Sequence, residues 1–226
     1  MSSSTNLTGS ERWAAVDSYI EEHYTASDAD AARVLQNQRD AGLPNIAVSP
    51  AQGKLLAVLA RACGARRVLE FGTLGGYSTL WFARAVGPEG SVVTFELEPR
   101  HAEIARASLA QAGVGDRVEV RVGPAIDNVG TLDYDEPYDL VFIDADKPNN
   151  LNYYEAAMTR VHAGTLVIVD NVVRDGGLID ADSADGSIQG ARAIVERIGA
   201  DPRVEGSVVQ TVGAKFYDGM IIATVL

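Results

Sequence analysis

Arg67-Val68-Leu69-Glu70-Phe71-Gly72-Thr73-Leu74-Gly75-Gly76-Tyr77-Ser78 is the stretch whose reading decides the fold. Val68, Leu69 and Phe71 form the apolar run of a buried parallel strand. The glycines that follow permit a tight bend into a helix and close approach of a ligand to the backbone. Working outward, the next strand-like run, Ser91-Val92-Val93-Thr94-Phe95, ends in a second acid, Glu96. In doubly wound sheets an acid at that place takes the two ribose hydroxyls of a nucleotide-like ligand. An ordinary strand-to-helix turn with a solvated Glu70 is the plainer reading of the same residues.

The glycine spacing narrows the ligand. Gly72 is followed by Gly75 and Gly76, so the dinucleotide pattern G-x-G-x-x-G is not met. Glu70 would also set a carboxylate where a pyrophosphate should sit, whereas a ligand with a cationic amino-acid end accepts it. S-adenosylmethionine is therefore expected ahead of NAD.

On either side of this turn the chain alternates between periods of two and 3.6. Strands are expected near 66–71, 91–96, 117–122, 138–144 and 165–170, with helices near 77–86, 99–112, 124–130, 150–161 and 187–199. Val208 to Val212 and Met220 to Val225 read as an antiparallel pair closing one edge. The expected fold class is α/β: a doubly wound, Rossmann-like sheet of seven strands, mostly parallel with an antiparallel C-terminal strand, flanked by helices. Ahead of it, residues 1–10 are small and polar enough to remain disordered. Residues 11–45 make a helical appendage with helices near 11–24 and 28–41, and residues 46–226 form a single catalytic domain. Ser49-Pro50-Ala51-Gln52 opens a further helix with an N-cap serine, proline at the first position and glutamine at N3. Arg174 to Gly186, rich in Asp and Gly, is the candidate for a mobile loop over the ligand site.

Composition excludes some functions. A formal charge of −12 across 226 residues, with no basic stripe, opposes binding to a phosphate backbone. The single cysteine, Cys63, rules out an intrachain disulfide or a thiolate metal cluster and fits a reducing compartment. No run approaches the ~20 apolar residues that span a bilayer, and the N-terminus lacks a leader pattern, so a soluble, cytoplasmic protein is expected.

A second chemical cluster ends the fourth and fifth strands: Phe142-Ile143-Asp144-Ala145-Asp146-Lys147 and Val169-Asp170-Asn171-Val172. Ligands of open parallel sheets gather beyond the carboxyl ends of the strands, so Asp144, Asp170 and Asn171 should converge near the cofactor. Two carboxylates and an amide suit a hard divalent cation such as Mg²⁺ or Ca²⁺, with Mn²⁺ admissible, better than zinc. Taken alone, Asp144 is equally a helix cap. Asp146, in the loop beyond the strand, is assigned to loop hydrogen bonding. Lys147 beside a dication is a candidate proton acceptor, since the ammonium form is disfavoured there. Tyr153, Tyr154, Trp81 and Phe216 are candidates for aromatic walls, although core packing explains the first three as well.

From about Val48 to Leu226 the chain resembles the cation-dependent O-methyltransferases of the catechol and caffeoyl-CoA type, class I S-adenosylmethionine enzymes. The glycine turn, the Asp144 segment and the Asp170-Asn171 segment carry the resemblance. It implies a metal held by Asp144, Asp170 and Asn171, and Lys147 as the catalytic base. It also implies cofactor contacts at Val48, Glu70, Gly72, Thr73, Ser78, Glu96, Ala125 and Asp144, and a homodimer. The implied reaction moves the methyl of S-adenosylmethionine to a hydroxyl of a small vicinal diol on an aromatic ring. A caffeoyl-CoA-type thioester is the alternative acceptor, mildly disfavoured by the negative charge. An NAD-dependent oxidoreductase leaves the Asp170-Asn171 pair without a role, and a non-catalytic binding protein leaves Lys147 without one.

Overall fold

The structure, a computed structural model, describes residues 7–132 and 136–226. The elements run α1 (Gly9–Tyr24), α2 (Ala29–Asp40), α3 (Pro50–Ala62), β1 (Arg67–Phe71), α4 (Tyr77–Val86), β2 (Ser91–Glu96), α5 (Pro99–Gln111) and β3 (Val118–Val122). They continue with α6 (Ala125–Val129), β4 (Tyr138–Ile143), α7 (Asn150–Ala157), β5 (Val161–Asp170), α8 (Gly186–Gly199), β6 (Val204–Gly213) and β7 (Phe216–Val225). The seven strands form one sheet in the order β3-β2-β1-β4-β5-β7-β6. Only β7 runs against its neighbours β5 and β6. This is the doubly wound sheet with an antiparallel C-terminal strand that the periodicity predicts.

The first strands are buried on both faces because each face carries its own core. Val68, Leu140, Phe142 and Ile168 pack with α3, α4 and α5 residues such as Leu56, Leu80, Phe82 and Leu109. Leu69, Phe71, Val141, Ile143, Val167 and Val169 pack with α6, α7 and α8 residues such as Val129, Tyr154 and Ile194. At about 25 cal/mol per Å² of apolar surface, these two layers supply the main stabilisation.

The register positions the site. Phe95 pairs with Phe71, Phe71 with Ile143, and Ile143 with Val169. The next residue on each strand is therefore Glu96, Gly72, Asp144 and Asp170, a row across the carboxyl ends of β2, β1, β4 and β5. Adjacent members of such a row are about 4.8 Å apart.

Several boundaries differ from the periodicity, and β6 and β7 each begin four residues before the expected 208 and 220, at Val204 and Phe216. Of the N-terminal stretch expected to be disordered, Met1 to Asn6 lie outside the described residues. Thr8 to Ser10 instead open α1, where Thr8 and Glu11 cap each other's backbone reciprocally. The polar composition concealed a capping box, which needs such residues. The helix expected to run to 161 ends at Ala157 and β5 begins at Val161 rather than 165, since Val161 pairs with Tyr138 and the Thr165 hydroxyl donates to the Tyr138 carbonyl. Cross-strand bonds overrode the helical pattern there. The stretch from Arg174 to Gly186 holds a 3-10 turn at Gly177–Ile179 and is tied to α8 by Arg192 and Gln189, which donate to the carbonyls of Leu178, Ala181 and Ser183.

Candidate active site

Gly72 ends β1 with φ +97°, and a Cβ built there would lie 2.3 Å from the Asp144 carbonyl oxygen. Glycine is needed for both reasons, backbone conformation and the close approach of the Asp144 backbone just beyond the paired ends of β1 and β4. The chain then turns through Thr73 and Leu74 into α4. Glu96 holds that turn: its Oε2 accepts the Leu74 N–H at 2.7 Å and its Oε1 the Glu98 N–H at 3.0 Å.

A cavity of about 780 Å³ opens above the row of strand ends, within the ~300–1,000 Å³ usual for small-molecule sites. Gly72, Thr73, Ser78 and Asp144 line it from the centre of the sheet, Val48 from the loop before α3, and Glu96 and Ala125 from the β2 and β3 side. Glu70 does not line it. Its carboxyl is fully buried beneath the turn, where the hydroxyls of Ser78 and Thr79 donate to it at 2.6 and 2.5 Å. The expected direct contact between Glu70 and a cationic ligand end gives way to a supporting one, in which Glu70 fixes Ser78, the residue that reaches the cavity. Burial pushes the Glu70 carboxyl up to about 7, and the nearby Asp144 adds to the effect.

On the other side of the row lies a smaller cavity of about 230 Å³. Asp144 and Asn171 line both cavities, and Asp170 lines the smaller. The three proposed ligands thus stand together at the partition. Asp170 is nearly buried; its Oδ1 accepts its neighbour Asn171's N–H at 2.8 Å, and its Oδ2 accepts the Gln52 amide at 2.6 Å. Burial drives the Asp170 carboxyl up to about 7, with repulsion from Asp144 next in effect. Asn171 sits at φ +56°, a conformation asparagine tolerates better than most residues. Its side-chain amide has no hydrogen-bond partner among the described residues. Two carboxylates that repel each other, joined by a free amide oxygen and no His or Cys, fit a hard divalent cation.

Lys147 is 8% exposed and donates to Asp144 Oδ1 at 2.7 Å. It is held in place by α8: a Cβ on Gly190 would come within 2.0 Å of the Lys147 carbonyl oxygen. Asp146 accepts the Tyr153 hydroxyl and the Asn149 amide, the loop role expected of it. Of the aromatic candidates, Trp81 and Tyr154 are core, Tyr153 lines the larger cavity and Phe216 the smaller.

Several residues of the site carry no local signal. Gln52 was expected to close a capping box; Ser49 does cap α3, but the Gln52 side chain reaches Asp170, 118 positions away. Lys215, in the β6–β7 turn, lines the smaller cavity and donates to the carbonyls of Ala47 and Asn45. Arg174 lines the larger one.

A doubly wound sheet whose strand ends carry an acid-bound glycine turn and a second acidic cluster, beneath two adjoining cavities, has the architecture of a nucleotide-type cofactor enzyme. The family model described as O-methyltransferase matches residues 24–224. The chain belongs to the O-methyltransferase family, and it is an enzyme. Its relatives include a catechol O-methyltransferase of Mycobacterium tuberculosis, 49% identical over 93% of this chain and 94% of that one. Among solved structures, an O-methyltransferase from Bacillus cereus in complex with SAH superposes with a TM-score of 0.93 at 48% identity, covering 96% of this chain and 99% of the other. One from Streptomyces achromogenes involved in tomaymycin synthesis, in complex with SAM, gives a TM-score of 0.93 at 43% identity, covering 97% and 99%.

Proposed function

We propose that this O-methyltransferase transfers the methyl group of S-adenosylmethionine to one hydroxyl of a small catechol, with a divalent cation, Mg²⁺ first among candidates, held by Asp144, Asp170 and Asn171. The observation that carries the reading is that Asp144 and Asn171 line both cavities, so the acceptor's oxygens and the donor's methyl meet at one partition. The SAM and SAH complexes of the relatives support the donor, and the name of the mycobacterial relative supports the diol.

In this reading Glu96 takes the ribose hydroxyls, Ala125 lies against the adenine side, and Val48, Gly72, Thr73, Ser78 and Asp144 surround the amino-acid end. The cation, when bound, would lower the pKa of the reacting hydroxyl. Lys147 accepts that proton, its Nζ already placed by Asp144 and its backbone by α8. The hydroxyl oxygen then forms a bond to the methyl carbon as the carbon–sulfur bond breaks, and the thioether leaves with the electron pair. Opposite charges neutralise in this step, so exclusion of water by Leu55, Met220 and the β6–β7 turn favours it. A room of about 230 Å³ suits a single substituted ring better than a CoA thioester. The chain is further proposed to act as a cytoplasmic homodimer, with residues 46–226 as the catalytic domain and 11–45 as its appendage.

The test is mass-spectrometric detection of methyl transfer from S-adenosylmethionine to a panel of catechols, with Mg²⁺ and then with excess EDTA. Product that disappears with EDTA and returns with Mg²⁺ is the expected result. Product indifferent to EDTA would remove the metal role of the Asp144, Asp170 and Asn171 set.

A further inference from the structure

The larger cavity contains a cation that neither the cofactor nor the proton transfer uses. Arg174 lines it together with Asn171 and Lys147. Its Nε is buried without a hydrogen-bond partner, and no carboxylate pairs with its guanidinium among the described residues. Arg84, Arg197 and Arg203 each hold a carboxylate, and Arg192 holds both a carbonyl and Glu196. The other cation on the acceptor side, Lys215, is spent on two backbone carbonyls. Of the four acids that share the cavity with Arg174, three are engaged, Asp144 with Lys147, Asp146 with Tyr153 and Asn149, and Glu96 with the turn, and the fourth, Glu98, forms no ion pair with Arg174.

The backbone puts Arg174 there deliberately. Arg174, Asp175 and Gly176 all have left-handed φ, +57°, +54° and +84°. Two of these are strained for side-chain-bearing residues and persist only where tertiary bonds impose them. Asp218 supplies such bonds, its Oδ1 accepting the N–H groups of Val173, Arg174 and Gly219 at 2.9 to 3.0 Å, while the Arg174 carbonyl accepts the Gly177 N–H. Arg174 follows the proposed ligand Asn171 by three positions and lines the larger cavity together with Asn171 and Lys147, so an acceptor whose hydroxyls sit at the partition can turn a ring substituent toward it from that side.

We propose that Arg174 selects the acceptor by pairing with an anionic substituent on its ring, so that the enzyme prefers catechol acids, of which 3,4-dihydroxybenzoate is the simplest, to neutral or cationic catechols. This rests on the catechol reading above and deepens it. A planar guanidinium with free donors matches a carboxylate in two parallel hydrogen bonds, whereas a neutral amide of the same shape accepts only one and brings no charge.

The test compares wild type with Arg174→Met and Arg174→Lys on 3,4-dihydroxybenzoate and 3,4-dihydroxybenzamide, by turnover and by calorimetric titration into the SAH-saturated protein. The wild type should favour the acid, and Arg174→Met should cut the acid-to-amide ratio in kcat/KM and in affinity by about 10- to 100-fold, as expected for one charged hydrogen-bonded partner. Arg174→Lys should restore part of it. An unaltered ratio, or a wild type indifferent to the carboxylate, overturns the proposal. So does a loss equal for both acceptors with a raised KM for S-adenosylmethionine, which would give Arg174 to the cofactor's carboxylate. If no diol is methylated at all, the catechol reading fails, and the calorimetric ratio alone decides whether Arg174 is an anion seat.

Discussion

At the scale of single residues the site sets buried acids to different tasks through their surroundings. Glu70 is enclosed by the sheet and by two hydroxyls, and its carboxyl is raised from 4.5 to about 7. A raised carboxyl binds its proton more tightly when folded, so its contribution to stability is complete below about pH 4.5 and is lost as pH climbs through 7. At 1.36 kcal/mol per pKa unit the loss is about 3 kcal/mol. Glu70→Gln removes that titration while keeping the shape. Its melting temperature relative to wild type should therefore rise between pH 5 and pH 8, and a constant difference across that range would refute the buried-acid account. Asp170 is raised in the same direction, but there the proton competes with a cation. Its affinity for Mg²⁺, read by calorimetry, should increase from pH 6 to pH 8 by up to about tenfold per unit, and Asp170→Ala should show neither binding nor slope. Lys147→Ala should lower kcat on the order of 10²-fold or more with a smaller effect on acceptor KM; an unchanged kcat would take Lys147 out of the chemistry.

Elements matter because the catalytic loops are short and are held by their neighbours. Lys147 opens a 3-10 turn too brief to be stable alone, and α8 presses Gly190 against its carbonyl. Gly190→Ala inserts a methyl where none fits. It should destabilise the fold by about 1–3 kcal/mol in denaturant unfolding and reduce kcat through displacement of Lys147, whereas Gly199→Ala, which meets nothing within 4 Å at the end of the same helix, should do neither. On the acceptor side the β6–β7 turn is clipped to α1, with the Ala214 N–H donating to Asp17 at 2.7 Å. The N-terminal helix therefore helps to wall the smaller cavity, which Asp17 itself lines.

For the whole molecule, the proposed donor and acceptor sites share one sheet edge, so ligand binding should stabilise the native state globally. S-adenosylmethionine at about 100 times its dissociation constant adds roughly 2.7 kcal/mol, or about 5 to 11 °C in melting temperature for a domain of this size. NAD at equal concentration should give no shift, and a shift with NAD would reopen the dinucleotide reading. The charge of −12 is compatible with a cationic donor, which the cavity meets with Glu96 and Asp144. Among the described residues no helix is long and apolar enough to cross a membrane.

The class of fold, the glycine turn, Glu96 and the Asp144 and Asp170-Asn171 clusters were all legible before any coordinates, for one physical reason. Hydrophobic period identifies strands and helices, and in a parallel sheet every strand ends on the same side, so the residue after each apolar run falls at the edge where ligands of such sheets gather. What the chain did not reveal locally depends on contacts between distant segments. Glu70 reads as a ligand contact until Ser78 and Thr79 fold over it. Gln52 reads as a cap until Asp170 arrives from 118 positions away. Arg174 reads as one more loop cation in an acidic chain. Only the tertiary structure, by pinning Arg174 in left-handed backbone with Asp218, brings it to the wall of the larger cavity with no ion pair among the described residues.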